Sequence, residues 1–316
     1  MSIHIQVQRI RAVGLTVADV DRSSNFYTQA LGFTPVSDIT VTGDGYTNLV
    51  GVSEMKIRIV TLRLGDELIE LRQYLNTVGK PIPLDSQSND LWFQHLAIVV
   101  SDMDHAYTHL RSFPIEAIST EPQTFPPGNI ASAHIQAFKF KDPDRHDLEL
   151  IWFPPDKGQE KWHQQTEQLF LGIDHSAIAI ANTEQSLQFY RDLLGMQVSG
   201  KSFNWRETQA RLDGLPNATV QVTALRPIQG GLGIELLDYM TPANSRPIPR
   251  DWKPFDIAHM QVELVVSDLK QAVDQLQQSA QSSSPLIVQF TNPSFPAQKS
   301  CLLNDPTGHT VLLITD

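Results

Sequence analysis

Two imidazoles and two carboxylates, His95, Glu149, His175 and Glu235, each interrupt an apolar run with the look of a buried strand. Alternate residues of a strand share a face, so His95 lies with Ala97 and Val99, and His175 with Ala177 and Ala179. Those small neighbours leave room beside the imidazoles for an ion and a substrate. Glu149 stands among Leu148, Leu150 and Ile151, and Glu235 between Ile234 and Leu236. An unpaired carboxylate in such surroundings is costly, so a metal, a cation or a hydrogen-bond partner is expected. A single histidine or glutamate of this kind is more often a satisfied core residue. Four at matching places in successive strands shift the balance toward a metal site. The donor set suits zinc, nickel, cobalt, manganese or iron(II) without selecting among them.

The elements that must position these residues repeat at two levels. Phe26-Tyr27 followed by Leu31-Gly32-Phe33 recurs as Phe189-Tyr190 followed by Leu194-Gly195-Met196. Lys80-Pro81-Ile82-Pro83 matches Arg246-Pro247-Ile248-Pro249, and Val99-Val100-Ser101-Asp102 matches Val265-Val266-Ser267-Asp268. The two halves are therefore related. Each half holds two weaker copies of one βαβββ unit: an alternating strand, an Asp or Asn, an amphipathic helix, then strands. The first strand starts at Ala12, with Asp19 or Asp21 capping a helix from Ser24 to Leu31 and Gly32 ending it. The later copies start at His95, His175 and Gln261, with helices over His105 to Arg111, Glu184 to Leu194 and Leu269 to Ser279. The expected organisation is a pair of modules over 1–154, a linker helix over 155–170 and a second pair over 171–316. Pro122 to Gly128 and Gln281 to Pro285 read as loops.

Bulk properties narrow the function. With 24 Lys and Arg against 35 Asp and Glu, the net charge is −11, and no basic stripe interleaves with aromatics, so no nucleic acid is expected as a partner. No run approaches the roughly 18 to 20 apolar residues of a membrane span, and MSIHIQVQRI lacks the pattern of a signal peptide. These features imply a soluble, cytoplasmic protein with no nucleic-acid or membrane partner; they leave open whether it is a monomer or a homodimer. Cys301, the only cysteine, reads as a core residue.

Together the segments FYTQALGF and FYRDLLGM and the hairpins DPDRHDLELI and DPTGHTVLLI resemble the vicinal oxygen chelate superfamily, which includes glyoxalase I, extradiol dioxygenases, fosfomycin-resistance enzymes and bleomycin-binding proteins. The resemblance spans nearly the whole chain. It implies an α+β fold in which four βαβββ modules form two open-barrel mixed sheets. It also implies ligands from the first and last strands of each module. The first-strand positions are Ala12, His95, His175 and Gln261, and the last-strand positions Glu70, Glu149, Glu235 and Leu312. Only the second and third modules are complete, and pairing inner with inner assembles His95, Glu149, His175 and Glu235 as a metal site. Pairing within each half would instead group Glu70, His95 and Glu149. The outer barrel is left with Glu70, His259, Gln261 and Glu263 as the lining of a second polar pocket.

By the same resemblance the ion binds a small oxygenated metabolite through two adjacent oxygens, with Glu149 or Glu235 moving a proton as a lyase or isomerase requires. An iron(II) ring-cleaving dioxygenase and a non-catalytic, bleomycin-resistance-type binding protein are the alternatives. His146 and His309 read as hairpin residues, Phe189 and Tyr190 as helix core, and Trp205 and Arg206 as candidates for substrate contact.

Overall fold

The computed structural model describes residues 5–51, 54–278, 287–289 and 299–315. The first module is β1 (Val7–Thr16), α1 (Val20–Leu31), β2 (Thr34–Thr42), α2 (Asp44–Val50), β3 (Lys56–Leu64) and β4 (Glu67–Tyr74). The second is β5 (Gln94–Val100), α3 (Met103–Leu110), the short β6 (Glu116–Ala117) and β7 (Gln123–Thr124), then β8 (Gln136–Lys141) and β9 (Asp147–Trp152). The third is β10 (Phe170–Ile180), α4 (Thr183–Leu187), β11 (Gln197–Asn204), α5 (Arg206–Asp213), β12 (Thr219–Arg226) and β13 (Gly233–Thr241). The fourth is β14 (Met260–Val266), α6 (Leu269–Gln278), β15 (Val288–Gln289), β16 (Lys299–Asn304) and β17 (Thr310–Ile314).

Local chemistry sets the helix ends. The Asp19 side chain accepts from the backbone N–H groups of Asp21 and Arg22 at the start of α1, and Gly32, at φ 72°, ends it. Asp102 and Asn182 cap α3 and α4 in the same way. The helix expected over Glu184 to Leu194 is α-helical only to Leu187 and continues as π-helical turns over Gln188–Leu193. The linker expected to be helical over 155–170 has one 3-10 turn, Glu160–His163, before β10 begins. Ser279 and the loop Gln281 to Pro285 lie outside the described residues.

Strand pairing crosses the sequence halves. One sheet runs β15-β16-β17-β14-β1-β4-β3-β2, joining the first module to the fourth. The other runs β11-β12-β13-β10-β5-β9-β8-β6, joining the third to the second. The molecule is thus α+β with an outer and an inner sheet, and in each the joint is an antiparallel pair of first strands, β1 with β14 and β5 with β10. The convex faces are covered by helices. Phe26, Tyr27, Phe189 and Tyr190 are buried there in a large apolar core that includes residues of both sheets. Cys301 is also buried in that core. Tyr27 and Tyr190 donate their hydroxyls to Asp142 and Asp305, each at 3.1 Å.

His146 and His309 lie in equivalent hairpin turns, His146 Nε2 being 2.9 Å from the Ile257 carbonyl and His309 Nε2 2.8 Å from that of Ala179. In those turns a left-handed residue is required, supplied by Gly308 at φ 114° and, less comfortably, by Arg145 at φ 73°.

Candidate functional site

His95, Glu149, His175 and Glu235 face one cavity of about 190 Å³ on the concave side of the inner sheet. The strand register explains how. Ala97 of β5 stands between His175 on β10 and Glu149 on β9, while Ala177 of β10 stands between His95 and Glu235 on β13. The four polar side chains therefore surround two buried alanines. They form two imidazole-carboxylate pairs, with His95 Nε2 3.2 Å from Glu149 Oε2 and His175 Nε2 3.4 Å from Glu235 Oε2. The two rings lie 5.7 Å apart at an interplanar angle of 64°.

The pairs differ in their surroundings. Both ring nitrogens of His95 are buried without a hydrogen-bond partner, its approach to Glu149 lacking the required alignment. Burial holds this imidazole down at about 4, so it is neutral at physiological pH. His175 is oriented instead: its Nδ1 donates to Asp174 Oδ2 at 3.0 Å. Asp174 in turn accepts from Arg226 at 2.6 Å, Trp162 Nε1 at 3.0 Å and Gln159 at 2.9 Å. That carboxylate fixes the tautomer of His175 and leaves Nε2 facing the cavity. Burial pulls His175 down, but Glu235 and Asp174 outweigh it and hold the ring above its ordinary value.

The carboxyls are pushed apart. Burial alone would raise Glu149, yet His95, once protonated in acid, and Lys139 bring it to about 2. Lys139 Nζ is 3.8 Å from Glu149 Oε2. Glu235 is held above its ordinary value by burial and by the neighbouring Asp174 and Glu149, against the pull of His175. It also opens further onto the cavity, with 24% of its side chain exposed against 8% for Glu149.

A metal fits the chemistry of this donor set. An imidazole with two orphaned buried nitrogens beside two carboxylates is the environment a divalent cation satisfies. The four nevertheless stand as two pairs, and among the described residues no three His, Cys, Asp or Glu side chains are set closely enough to form a ready cluster.

The outer sheet places its expected pocket residues differently. Glu70 and Glu263 are buried and closed off by two arginines: Arg11 Nε donates to Glu263 at 2.7 Å and Arg72 to Glu70 at 2.7 Å, with further ion pairs from Arg11 to Glu70 and from Arg72 to Glu263. Gln261 reaches Glu263 at 3.4 Å. His259 lies apart, on a cavity shared with Trp92, Trp252 and His309, and burial with the nearby Arg72 lowers it to about 4. Ion pairing thus occupies the carboxylates that were expected to line a second polar pocket.

Several site residues escaped the sequence reading. Asp174 directly precedes His175, and Lys139 falls between Phe138 and Phe140 on the opposite face of β8. Lys139 Nζ donates to Asp213 Oδ1 at 2.7 Å. Asp213 also accepts from Gln209 Nε2 at 2.6 Å and from the Tyr239 hydroxyl at 3.0 Å. Strand alternation in β8 was legible, but the pairing of Lys139 with α5 of another module was not. Trp205 and Arg206 begin α5 and stack on each other at 5.8 Å, outside the cavity lining.

A family model for the glyoxalase/bleomycin resistance protein/dioxygenase superfamily matches residues 9–150 and 172–313. The chain belongs to this superfamily. Members are generally dependent on a divalent metal. A 2-epi-5-epi-valiolone epimerase from Actinomyces sp is 33% identical over 165 residues, which are 50% of this chain and 85% of that protein. Glyoxalase I from Zea mays shares the fold at a TM-score of 0.61 and 16% identity, over 97% of this chain and 92% of the other. A Bacillus subtilis protein named as a candidate dioxygenase does so at 0.60 and 12%, over 99% and 86%. Among the described residues, no helix is long and apolar enough to cross a membrane.

Proposed function

We propose that this superfamily member is a metal-dependent isomerase of the epimerase kind, moving a proton at a carbon next to a carbonyl in a small oxygenated metabolite. The observation that carries the reading is the presence in one cavity of two imidazole-carboxylate pairs of unequal exposure, His95 with Glu149 and His175 with Glu235. Such a set can supply donors to an ion and a carboxylate to carry a proton. The epimerase that covers 85% of its own length with this chain supports the same reaction class.

His95, Glu149, His175 and Glu235 would hold the ion. Bound there, a divalent metal supplies Lewis acidity toward a carbonyl oxygen. Glu149, kept ionised, contributes fixed negative charge. Glu235, which opens further onto the cavity than Glu149, is the group placed to take the proton from carbon and return it. Asp174 is a positioning residue, keeping Nε2 of His175 directed at the site. Ala97 and Ala177 leave the space that the substrate needs.

Elemental analysis of the purified protein and its His95→Ala and His175→Ala variants tests the metal, with about one equivalent expected in the parent and none in the variants. Deuterium uptake from solvent into 2-epi-5-epi-valiolone, followed by mass spectrometry, tests the chemistry. Glu235→Gln should abolish uptake while the parent exchanges. Failure of the reconstituted protein to retain any metal would turn the reading to a binding protein, and unchanged exchange in Glu235→Gln would remove Glu235 from the proton step.

A further inference from the structure

We infer that the cavity wall carrying Lys139 and Gln209, both held from behind by Asp213, is a hydroxyl-recognition subsite, so that the substrate is a small, uncharged, polyhydroxylated molecule. The inference rests on the proposed reading of the cavity as a substrate site and names the chemistry of what enters it.

Gln209 is buried, lines the cavity, and its Oε1 has no hydrogen-bond partner. The orientation of the amide is set by its other end, since Nε2 donates to Asp213 at 2.6 Å and a flipped amide would set its oxygen against a carboxylate. The unmatched atom is therefore an acceptor. Lys139, also buried, gives one hydrogen bond to Asp213 and keeps further donor capacity on the same cavity wall. Asp213 gathers Lys139, Gln209 and Tyr239 and has its own oxygens occupied. The subsite thus offers a donor and an acceptor together, which a hydroxyl group satisfies from both sides.

Other ligand classes fit less well. An ionised carboxylate could accept from Lys139 but has no hydrogen to give the Gln209 oxygen. An apolar group would leave that oxygen dry and unpaired. The cavity, at about 190 Å³, is below the roughly 300 to 1,000 Å³ of sites for drug-sized ligands.

The internal repeat supplies an independent argument. Lys139 pairs with Glu149 across β8 and β9, and the same register in the outer sheet pairs Leu302 with Leu312. Asp213 precedes the C-terminal glycine of α5, Gly214, as Val50 precedes Gly51 in α2. The fold is built without these polar groups in its other half, so their presence in the inner barrel answers to a ligand.

Calorimetric titration of the metal-reconstituted protein with myo-inositol, D-glucose and cyclohexanol tests this, beside Gln209→Met and Gln209→Leu. At least one polyol should bind and cyclohexanol should not, and the Gln209 variants should lose about tenfold or more in polyol affinity with metal content unchanged. Two variants guard against one that misfolds. Equal binding of cyclohexanol, polyol binding indifferent to Gln209, or binding of neither polyol would overturn the inference. Polyol binding that depends on Gln209 in a protein unable to take up metal would keep the subsite and discard the metalloenzyme reading; metal uptake without hydroxyl discrimination would do the reverse.

Discussion

The inner and outer barrels use one backbone plan and reach opposite interiors. On the concave face of the outer sheet, Ile57, Ile59, Tyr74, Val265, Leu312 and Ile314 pack into an apolar cluster, and the two remaining carboxylates are neutralised by Arg11 and Arg72. The corresponding face of the inner sheet divides its apolar residues among separate clusters, among them one around Phe93, Ala177 and Ala179 and one around Ala97 and Val99. Between them lie the two imidazole-carboxylate pairs and the Lys139–Asp213 ion pair. The outer barrel fills its concave side with apolar packing and ion pairs, whereas the inner barrel sets the ring nitrogens of His95 and the Gln209 oxygen beside a cavity without partners.

The comparison can be broken most decisively at the first-strand positions. His175→Ala should lose the bound metal entirely, while Gln261→Ala, which changes a first-strand position of the outer barrel, should retain it; elemental analysis distinguishes the two. On the outer side, Arg72→Met strands Glu70 and Glu263 with only Arg11 between them and should cost about 3–5 kcal/mol in unfolding free energy, measured with denaturant, because a buried charge is left without its partner.

A pH effect sharpens the picture at the joints between barrels. His146 is raised from 6.5 to about 9: burial opposes the charge, but Asp142, 3.0 Å away, outweighs it. A raised folded-state pKa gives stability that is complete below about pH 6.5 and is lost as pH climbs through about 9, amounting to about 3 kcal/mol at most. Unfolding curves across that window should show the decline in the parent and not in His146→Asn.

Smaller effects are expected around the site. Asp174→Asn should weaken metal affinity by about 10- to 100-fold, read by competition with a chelator, since it removes the carboxylate that orients His175. Replacing Lys139 by Leu and Asp213 by Val together imitates the outer barrel but also takes the acceptor from Gln209 Nε2 and the Tyr239 hydroxyl, so it should cost about 2–4 kcal/mol in unfolding free energy, measured with denaturant.

Much of the fold was legible because its signals are local. Alternating apolar strands, capping residues such as Asp19 and Asp102, and the paired FY and LG segments repeat in order along the chain. The linker was misread as helical because the composition of Gln159 to Phe170 was taken as sufficient, where it forms only one 3-10 turn. That His95, Glu149, His175 and Glu235 would face one cavity was legible as well, since a histidine or glutamate in a buried strand is conspicuous.

What the amino-acid sequence determined by itself was the module, its fourfold repetition and the faces on which His95, Glu149, His175 and Glu235 project, all consequences of two-residue periodicity within single strands. The tertiary structure decided which modules share a sheet, which carboxylates are sealed by arginine and which remain open, and that Lys139 meets Asp213 from 74 residues away. Those outcomes depend on contacts between segments far apart in the chain, and no periodicity along the chain encodes them.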